Sequence, residues 1–169
     1  MITKQIEGAI NAQINQELSA SYVYLGMVAY FEQENLSGFA RWCLIQHQEE
    51  LQHAMRLFRY LLDRGGKVQL DNIEKPRQSY DGPREVFATA LKQEQANSQS
   101  IDQLYALAAQ LSDHATMSHL QWFLDEQVEE EKVVGEVLAL VEMAANDANA
   151  ILYLNDKLAS RQPDAEDEA

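Results

Sequence analysis

The stretch GGKVQLDNIEKPRQSYDG, residues 65–82, decides the topology of the chain. Its length of about 18 residues exceeds the roughly 2–8 residues that usually join neighbouring helices in a bundle. Fully extended, it could span up to about 59 Å, at ~3.3 Å per residue. The helical segment before it, which begins near Ser37, is only about 42 Å long at ~1.5 Å per residue. The connection can therefore run the full length of a helical bundle.

Helical periodicity dominates the sequence on both sides of this connection, and no segment shows a convincing β-strand alternation. Ser37 is a good N-cap residue, Gly65 suits the end of a helix, and Pro83 suits a first turn. The pattern predicts five helices: α1 from about Thr3 to Glu34, α2 from Ser37 to the residue before Arg64, α3 from Pro83 to about Leu111, α4 from Ser112 or Asp113 to Ala144, and a short α5 from about Asn149 to Ala159.

The connections determine how the predicted helices are arranged. Very few residues separate α1 from α2 and α3 from α4, so each pair is antiparallel. The predicted fold is all-α: a four-helix bundle with one long crossover from α2 to α3 and a short fifth C-terminal helix. A single domain is expected over residues 1–160, and the acidic segment RQPDAEDEA at residues 161–169 is expected to be a disordered tail.

Composition excludes several classes of function. The chain has 169 residues, 46% of them apolar, and a formal net charge of −14, which argues against the basic face that nucleic-acid binding needs. The single cysteine, Cys43, excludes an internal disulfide and a cysteine-based metal site within one chain. The start MITKQIEGAI lacks the apolar run of a signal peptide. The sequence also has no run of about 18 apolar residues that could cross a membrane. We therefore expect a cytoplasmic protein.

Each of the four long helices carries one glutamate in the stripe of residues that faces the interior. These glutamates are Glu17, Glu50, Glu94 and Glu130. An isolated buried carboxylate is so unfavourable that it normally becomes protonated or is paired with a cation. No lysine or arginine lies on the four stripes, so another source must supply the compensating charge.

Counting from the turns places these carboxylates at one level of the bundle. Glu17 and His53 are each 18 residues from position 35, in the turn between α1 and α2. Glu94 and Glu130 are likewise each 18 residues from position 112, at the turn between α3 and α4. In antiparallel pairs an equal distance from the turn means an equal height. Two divalent cations would balance the four carboxylates, and oxygen ligands with one imidazole suit iron or manganese.

Several stretches, taken together, resemble the motifs of the non-haem bacterial ferritins. They are NQELSASYVYLGM at residues 15–27, HQEELQHAMRLFRYL at 47–61, LKQEQ at 91–95, FLDEQVEEEK at 123–132 and LYLNDKLA at 152–159. The resemblance covers about residues 2–160. It implies a ferritin-like fold and a hollow 24-subunit shell that oxidises Fe(II) with O2 or H2O2 and stores the Fe(III) as mineral.

The resemblance also implies a role for particular residues. Two iron ions per subunit would bind at the diiron centre: Glu17, Glu50 and His53 form the first site, and Glu50 bridges to the second, with Glu94, Glu130 and the neighbouring Gln127. Tyr24 would lie beside this centre and Trp122 nearby, while Glu49, Glu126 and Glu129 would form a third iron site. Glu49 projects about 100° away from Glu50 around α2, so it should not share the interior with Glu50.

Structural alternatives exist for some of these roles. Tyr24 could be a packing tyrosine with a satisfied hydroxyl group, and Trp122 a core residue or a subunit contact. The run EQVEEEK at residues 126–132 could be a solvated charged face. For the third site, the resemblance outweighs this alternative.

The chain departs from related families at three places. Bacterioferritins bind haem through a methionine after the α2 glutamate, and Leu51 stands there, so no haem is expected. They also carry a second E-x-x-H pair on α4, where this chain has Gln127 and Glu130, which predicts a weaker and more exchangeable second site. Met117 and Leu120 replace the carboxylates that line the pore of animal ferritins, so the sequence does not define the route by which iron enters.

Two other classes of function are alternatives. The first is a diiron redox enzyme that removes peroxide, either rubrerythrin-like or miniferritin-like, in which mineral is incidental. Rubrerythrin-like proteins need a CxxC iron site, and miniferritins need a histidine-rich first helix, which this chain lacks. The second is a structural shell subunit with a degraded site, against which the complete set of ligands counts.

Overall fold

The computed structural model describes residues 2–145 and 147–162, which form five α-helices without a β-strand. The helices are α1 Lys4–Gln33, α2 Ser37–Asp63, α3 Pro83–Gln110, α4 His114–Ala144 and α5 Ala148–Leu158. The all-α prediction is therefore confirmed, and each predicted end lies within one or two residues of the observed one. No helix of the described part is long and apolar enough to cross a membrane.

The two short turns share one geometry, which explains why equal distances along the helices give equal heights. Asn35 and Ser112 both adopt a left-handed conformation, with φ of 58° and 55°. In each turn the next residue donates its N–H to a carbonyl five residues earlier: Leu36 to Phe31, and Asp113 to Ala108, both at 2.9 Å. This motif ends one helix and starts its antiparallel partner. As a result α1 packs along α2, and α3 packs along α4.

The crossover, residues 64–82, is held on the outside of α1 by two asparagine side chains. Asn11 donates to the carbonyl of Lys67 at 2.9 Å and accepts from the N–H of Gln69 at 2.7 Å. One turn later, Asn15 donates to the carbonyl of Gln69 and accepts from the N–H of Asp71. Each asparagine amide thus satisfies two backbone groups of a segment without regular secondary structure.

The apolar core consists of two clusters, and positions along the helices place the four predicted glutamates between them. The aromatic cluster includes Tyr24, Phe31, Phe39, Trp42, Phe87 and Val134. The aliphatic cluster includes Ile6, Ile10, Ile14, Leu57, Ile101, Leu120 and Phe123. In every long helix the predicted glutamate separates residues of one cluster from residues of the other. A polar layer therefore divides an otherwise apolar interior.

Helix α5 caps the first turn of α2, which corrects the role predicted for Ser37. Leu36 is the N-cap and makes no side-chain capping bond, and Ser37 is the first helical residue. Asn155 supplies the cap from α5, because its Oδ1 accepts from the N–H groups of Gly38 at 2.8 Å and Phe39 at 3.3 Å. A Cβ on Gly38 would lie 1.7 Å from the carbonyl oxygen of Asn155. The approach of the two helices therefore requires glycine.

Replacement of Asn155 by alanine should destabilise the fold by about 1–2 kcal/mol, since two N–H groups at the start of α2 lose their acceptor. Asn149→Ala, at an exposed position in the first turn of α5, is the matched control and should change stability little. Thermal or denaturant unfolding of the two variants measures the difference. Equal stability of both variants would show that the Asn155 contact does not hold α5 on α2.

The predicted tail, residues 161–169, begins at a residue that contacts the bundle. The side chain of Arg161 is only 16% exposed and lies 2.9 Å from a carboxylate oxygen of Glu49. Residues 163–169 lie outside the described residues, and for them the disordered tail stays a prediction.

Candidate metal centre

Four glutamates, one from each long helix, lie inside the bundle. Their relative exposures are 0% for Glu17, Glu50 and Glu94 and 4% for Glu130. Residues before and after each glutamate on the same helix belong to the two apolar clusters. The layer therefore concentrates four carboxyl groups in a region from which water is largely excluded.

Glu17 is held by two neutral amides. Its Oε1 accepts from Gln13 Nε2 at 2.8 Å, and its Oε2 accepts from Asn97 Nδ2 at 2.9 Å. Gln13 also donates to Asn97 at 2.6 Å and accepts from Ser100 at 2.6 Å. Because these donors are uncharged, they fix the orientation of the carboxylate without neutralising it.

Glu50 and His53 lie one helical turn apart on α2 and face Glu17. The three residues form a group whose ligand atoms lie within 4.8 Å of one another, and all three side chains are buried. His53 Nδ1 lies 3.7 Å from Glu50 Oε2, which is too far for a hydrogen bond. Both carboxylate oxygens of Glu50 are buried without a hydrogen-bond donor among the described residues. Burial, and then repulsion by Glu94 and Glu17, raise the pKa of Glu50 well above its ordinary value.

Glu94 is held by the hydroxyl group of Tyr24. Tyr24 donates to Glu94 Oε1 at 2.5 Å, while Glu94 Oε2 is buried without such a donor in the described part of the chain. Burial raises the pKa of Glu94 to about 7, although the bond from Tyr24 opposes the shift. Burial and the charge of Glu94 also raise the pKa of Tyr24 well above 10, so the phenol stays a proton donor at neutral pH.

Glu130 contacts an amide that connects it to a charged group. Gln46 Nε2 donates to Glu130 Oε2 at 2.9 Å and to Glu130 Oε1 at 3.2 Å. The same Nε2 atom lies 2.8 Å from Glu49 Oε2, and Arg161 in turn contacts Gln46 Oε1 and both oxygens of Glu49. Burial, then repulsion by Glu94 and Glu49, raise the pKa of Glu130, whereas Gln46 and Arg161 lower it.

Gln127 lies beside the layer but turns its amide toward α3. Its Nε2 donates to the carbonyl of Glu94 at 3.3 Å and to Ser98 Oγ at 3.2 Å, and its Oε1 accepts from Asn97 at 3.4 Å. Gln127 therefore binds the backbone that carries a glutamate of the layer. Its role in this arrangement is to position α3 and Glu94.

A second group of possible ligands lies on the other side of the imidazole. His53, Glu126 and Glu130 also place one ligand atom each within 4.8 Å of the others. His53 Nε2 lies 4.0 Å from Glu126 Oε1, and the Glu126 side chain is 17% exposed. This combination was not predicted. It connects the buried layer to the partly exposed carboxylate of Glu126.

The residues predicted for a third site do not form one such group in the described structure. Glu129 is exposed, Glu126 faces His53, and Glu49 contacts Gln46 and Arg161. The expectation that Glu49 lies outside the interior is wrong, because it is only 2% exposed. Arg161, from beyond α5, covers the side of α2 on which Glu49 lies.

Comparisons with known proteins identify the family. The family described as ferritin-like domain matches residues 7–144. The chain is 36% identical over 161 residues to a protein named bacterial non-heme ferritin from Staphylococcus epidermidis, covering 95% of this chain and 97% of that protein. A protein of the same name from Staphylococcus aureus is 34% identical over 166 residues, covering 98% and 100%. The chain belongs to the ferritin family.

Solved structures of ferritins have the same architecture. The open-pore ferritin of the archaeon Archaeoglobus fulgidus superposes with a TM-score of 0.94 at 37% identity, covering 96% of this chain and 99% of that one. A form of the same ferritin engineered to be closed gives a TM-score of 0.94 at 38% identity. The resemblance seen in the sequence is thereby confirmed. The architecture of a ferritin holds along nearly the whole chain.

Two residues near the layer of this ferritin, the aromatic Trp122 and the apolar Leu51, were the subject of predictions from the sequence. Trp122 packs edge-to-face on His53, with ring centroids 5.3 Å apart, and Arg56 lies 4.0 Å from the centroid of the indole ring. Trp122 therefore fixes the orientation of the imidazole. Leu51, at the position of the haem-binding methionine in bacterioferritins, is 41% exposed and offers no ligand atom.

Sequence reasoning gave no role to three residues that organise this ferritin's layer. Asn97 lies one helical turn after Glu94, and this spacing is the signal that could have identified it. Gln46 lies one helical turn before Glu50, in phase with the buried glutamate of α2, and this spacing could have identified it. Arg161 lies far from the layer in sequence and was assigned to the tail, so no local pattern could have identified it.

Proposed function

We propose that this protein oxidises Fe(II) to Fe(III) at a diiron centre within each subunit and stores the product as ferric mineral inside a shell of 24 subunits in the cytoplasm. The proposed ligands of the first iron are Glu17, Glu50 and His53. The second iron would bind Glu50, Glu94 and Glu130, with Gln127 as a neighbouring polar group. The oxidant is O2 or H2O2, and no haem takes part.

The observation that carries this proposal is a buried layer of carboxyl groups in which several oxygens are not satisfied by hydrogen bonds. The two oxygens of Glu50 and the Oε2 atom of Glu94 accept no hydrogen bond from an amide, hydroxyl or cationic group of the described residues, and both side chains are fully buried. Two Fe(II) ions would supply four positive charges and bind these oxygens. Carboxylates can bridge two metal ions that lie about 3.5–4 Å apart.

The proposed reaction is balanced by the two iron ions together. Each Fe(II) gives one electron, so a pair reduces O2 and two protons to H2O2, or H2O2 and two protons to two water molecules. The layer would hold two iron ions in adjacent positions, which would allow both electrons to leave in a single encounter with the oxidant. Tyr24 holds Glu94 by one oxygen and leaves the other available to iron.

The surface supports a shell of many copies. Large apolar side chains are exposed on several elements, among them Leu62 at 50%, Val128 at 73%, Met143 at 81% and Tyr153 at 71%. We propose that these side chains are buried in contacts between subunits of the shell. Light scattering at neutral pH should give the mass of a 24-subunit particle, and a monomer or small oligomer would contradict the proposed shell.

The decisive experiment is aerobic addition of several hundred Fe(II) ions per shell, followed by size-exclusion chromatography and iron counting on the eluted particle. Storage predicts that most of the iron elutes with the shell. A peroxide-removing enzyme predicts that iron in excess of its binding sites precipitates outside the particle. His53→Ala, which lacks one ligand of the first site, is the control for unassisted mineral growth.

Glu129→Ala should leave the fast oxidation of the first two iron ions intact and change the steps that follow. The proposed reason is that Glu129 belongs to a third site, so its loss alters the iron-to-oxygen ratio and the recovery of the diiron centre. Glu136→Ala, on the exposed side of α4, is the matched control. Oxygen consumption per iron, with a second Fe(II) addition after a delay, measures both quantities. If both variants match the unmodified protein, Glu129 is an ordinary surface charge.

A further inference from the structure

Arg161 brings a positive charge to the edge of the carboxylate layer. Its guanidinium group donates to Glu49 Oε2 at 2.9 Å and Oε1 at 3.2 Å, and to Gln46 Oε1 at 3.1 Å. It also lies 4.8 Å from the centroid of the Trp42 ring. The side chain is 16% exposed, and its partner Glu49 is 2% exposed. The ion pair is therefore largely shielded from water, and its guanidinium group packs on the ring of Trp42.

Arg161 acts on Glu130 through the amide of Gln46. Because the guanidinium binds the amide oxygen of Gln46, the amide nitrogen must point the other way, toward the carboxylates. That nitrogen donates to Glu130 at 2.9 Å and contacts Glu49 at 2.8 Å. Arg161 thus orients the amide of Gln46 so that its nitrogen faces Glu130, a proposed iron ligand. Arg161 acts on Glu130 through this amide and not by direct contact.

A metal ion at Glu49 would bring a second cation to oxygens that already bind a guanidinium. Both oxygens of the carboxylate contact Arg161, and Gln46 contacts one of them. A buried carboxylate that loses its cation is strongly destabilised, so Glu49 must exchange one cation for another. Because two cations at one carboxylate repel each other, a divalent ion at Glu49 competes with the Arg161 contact.

The position of Arg161 allows this exchange. Arg161 follows α5, which ends at Leu158, and its backbone N–H donates to the carbonyl of Leu158 at 3.2 Å. The side chain can swing away from Glu49 without breaking a hydrogen bond inside a helix. Movement of Arg161 would also remove a positive charge from above the Trp42 ring.

We propose that Arg161 is a resident counter-ion at Glu49 and a positioning residue for Glu130, and that a third iron ion binds only by displacing it. The inference rests on the proposed function, with Glu49 as a ligand of the third iron site that the family resemblance implies. It predicts that the third iron binds more weakly than the first two, since it must compete with a cation that belongs to the chain.

The test is a titration of the metal-free shell with Zn(II), which binds without redox chemistry, followed by calorimetry. Arg161→Gln removes the competitor, and Arg41→Gln is the matched control. Arg41 is an exposed neighbour that donates to the carbonyl of Arg161 at 3.5 Å, so its loss changes the net charge equally. The third Zn(II) should bind at least about tenfold more tightly to Arg161→Gln than to the control.

Two further measurements separate competition from damage to the fold. Arg161→Lys keeps the charge but lacks the planar guanidinium group. Its affinity for the third Zn(II) should therefore lie between those of Arg161→Gln and of the Arg41→Gln control. In a Trp122→Phe background, the emission of Trp42 should change as the third Zn(II) binds, and this change should be absent when Arg161 is glutamine. A purely structural role predicts the opposite sign, because a disordered Glu49 would bind metal more weakly.

The outcomes distinguish the two proposals. If Arg161→Gln binds the third Zn(II) no more tightly than the Arg41 control, or binds no third ion, the role of Arg161 is wrong. The same holds if Trp42 emission is unchanged by the third ion in the protein with Arg161. Absence of the first two ions in every variant would instead overturn the diiron centre, and the inference with it.

Discussion

Replacement of Glu50 by glutamine should slow the fast phase of Fe(II) oxidation by at least about 100-fold. Loss of a residue that supports a metal ligand typically costs about 10–100-fold, and Glu50 is proposed as a ligand of both iron ions. Glutamine has nearly the same shape, so the change removes the charge and one ligand oxygen while the packing remains. Stopped-flow absorbance at two Fe(II) per subunit measures the rate.

The same substitution should stabilise the metal-free protein, and more so at higher pH. The pKa of Glu50 is raised on folding, so the native state holds a proton that the unfolded chain releases above about pH 4.5. Stability of the unmodified protein therefore falls as the pH rises from about 4.5 toward the raised pKa. Glutamine removes this loss, so we expect it to stabilise the metal-free protein more at pH 8 than at pH 5.

Glu136→Gln, an exposed change of the same chemistry on α4, is the control for both effects. It should alter neither the oxidation rate nor the pH dependence of thermal unfolding. Unchanged oxidation in Glu50→Gln would remove Glu50 from the proposed centre. A destabilised metal-free Glu50→Gln protein would show that the buried carboxyl group has stabilising partners that outweigh its charge.

Binding of Zn(II) to the metal-free protein at pH 6.5 should release protons from the carboxyl groups of the layer. Burial raises the pKa of Glu94 to about 7, and burial with repulsion raises the pKa values of Glu50 and Glu130 well above normal. These carboxyl groups hold protons that a metal ion must expel. Each released proton makes the affinity rise about tenfold per pH unit until the group is ionised without metal.

Calorimetry in two buffers with different enthalpies of ionisation counts the protons. The number should fall as the pH rises above 7, because Glu94 is then increasingly ionised before metal arrives. Glu94→Gln should release fewer protons at pH 6.5. An observed count of zero at pH 6.5 would show that the carboxyl groups of the layer are already ionised in the metal-free state.

Some features of the layer follow from chain positions alone, and others do not. The burial of Glu17, Glu50, Glu94 and Glu130 was predictable because each lies in phase with the apolar residues of its own helix. Their common level was predictable because both turns share one motif. The burial of Glu49 was not predictable, because helical phase places it away from the interior and a residue distant in sequence, Arg161, covers it.

The sequence by itself determined the five helices, the antiparallel pairs, the crossover and the family. These depend on periodicity within single helices and on the lengths of the connections, which are local properties of the chain. Only the tertiary structure decided that Asn155 caps α2, that Gln127 binds the backbone of α3, and that Arg161 reaches Glu49. Each of these contacts rests on hydrogen bonds between residues far apart in sequence. Such a bond forms only after packing has fixed both partners, so periodicity carries no signal of it.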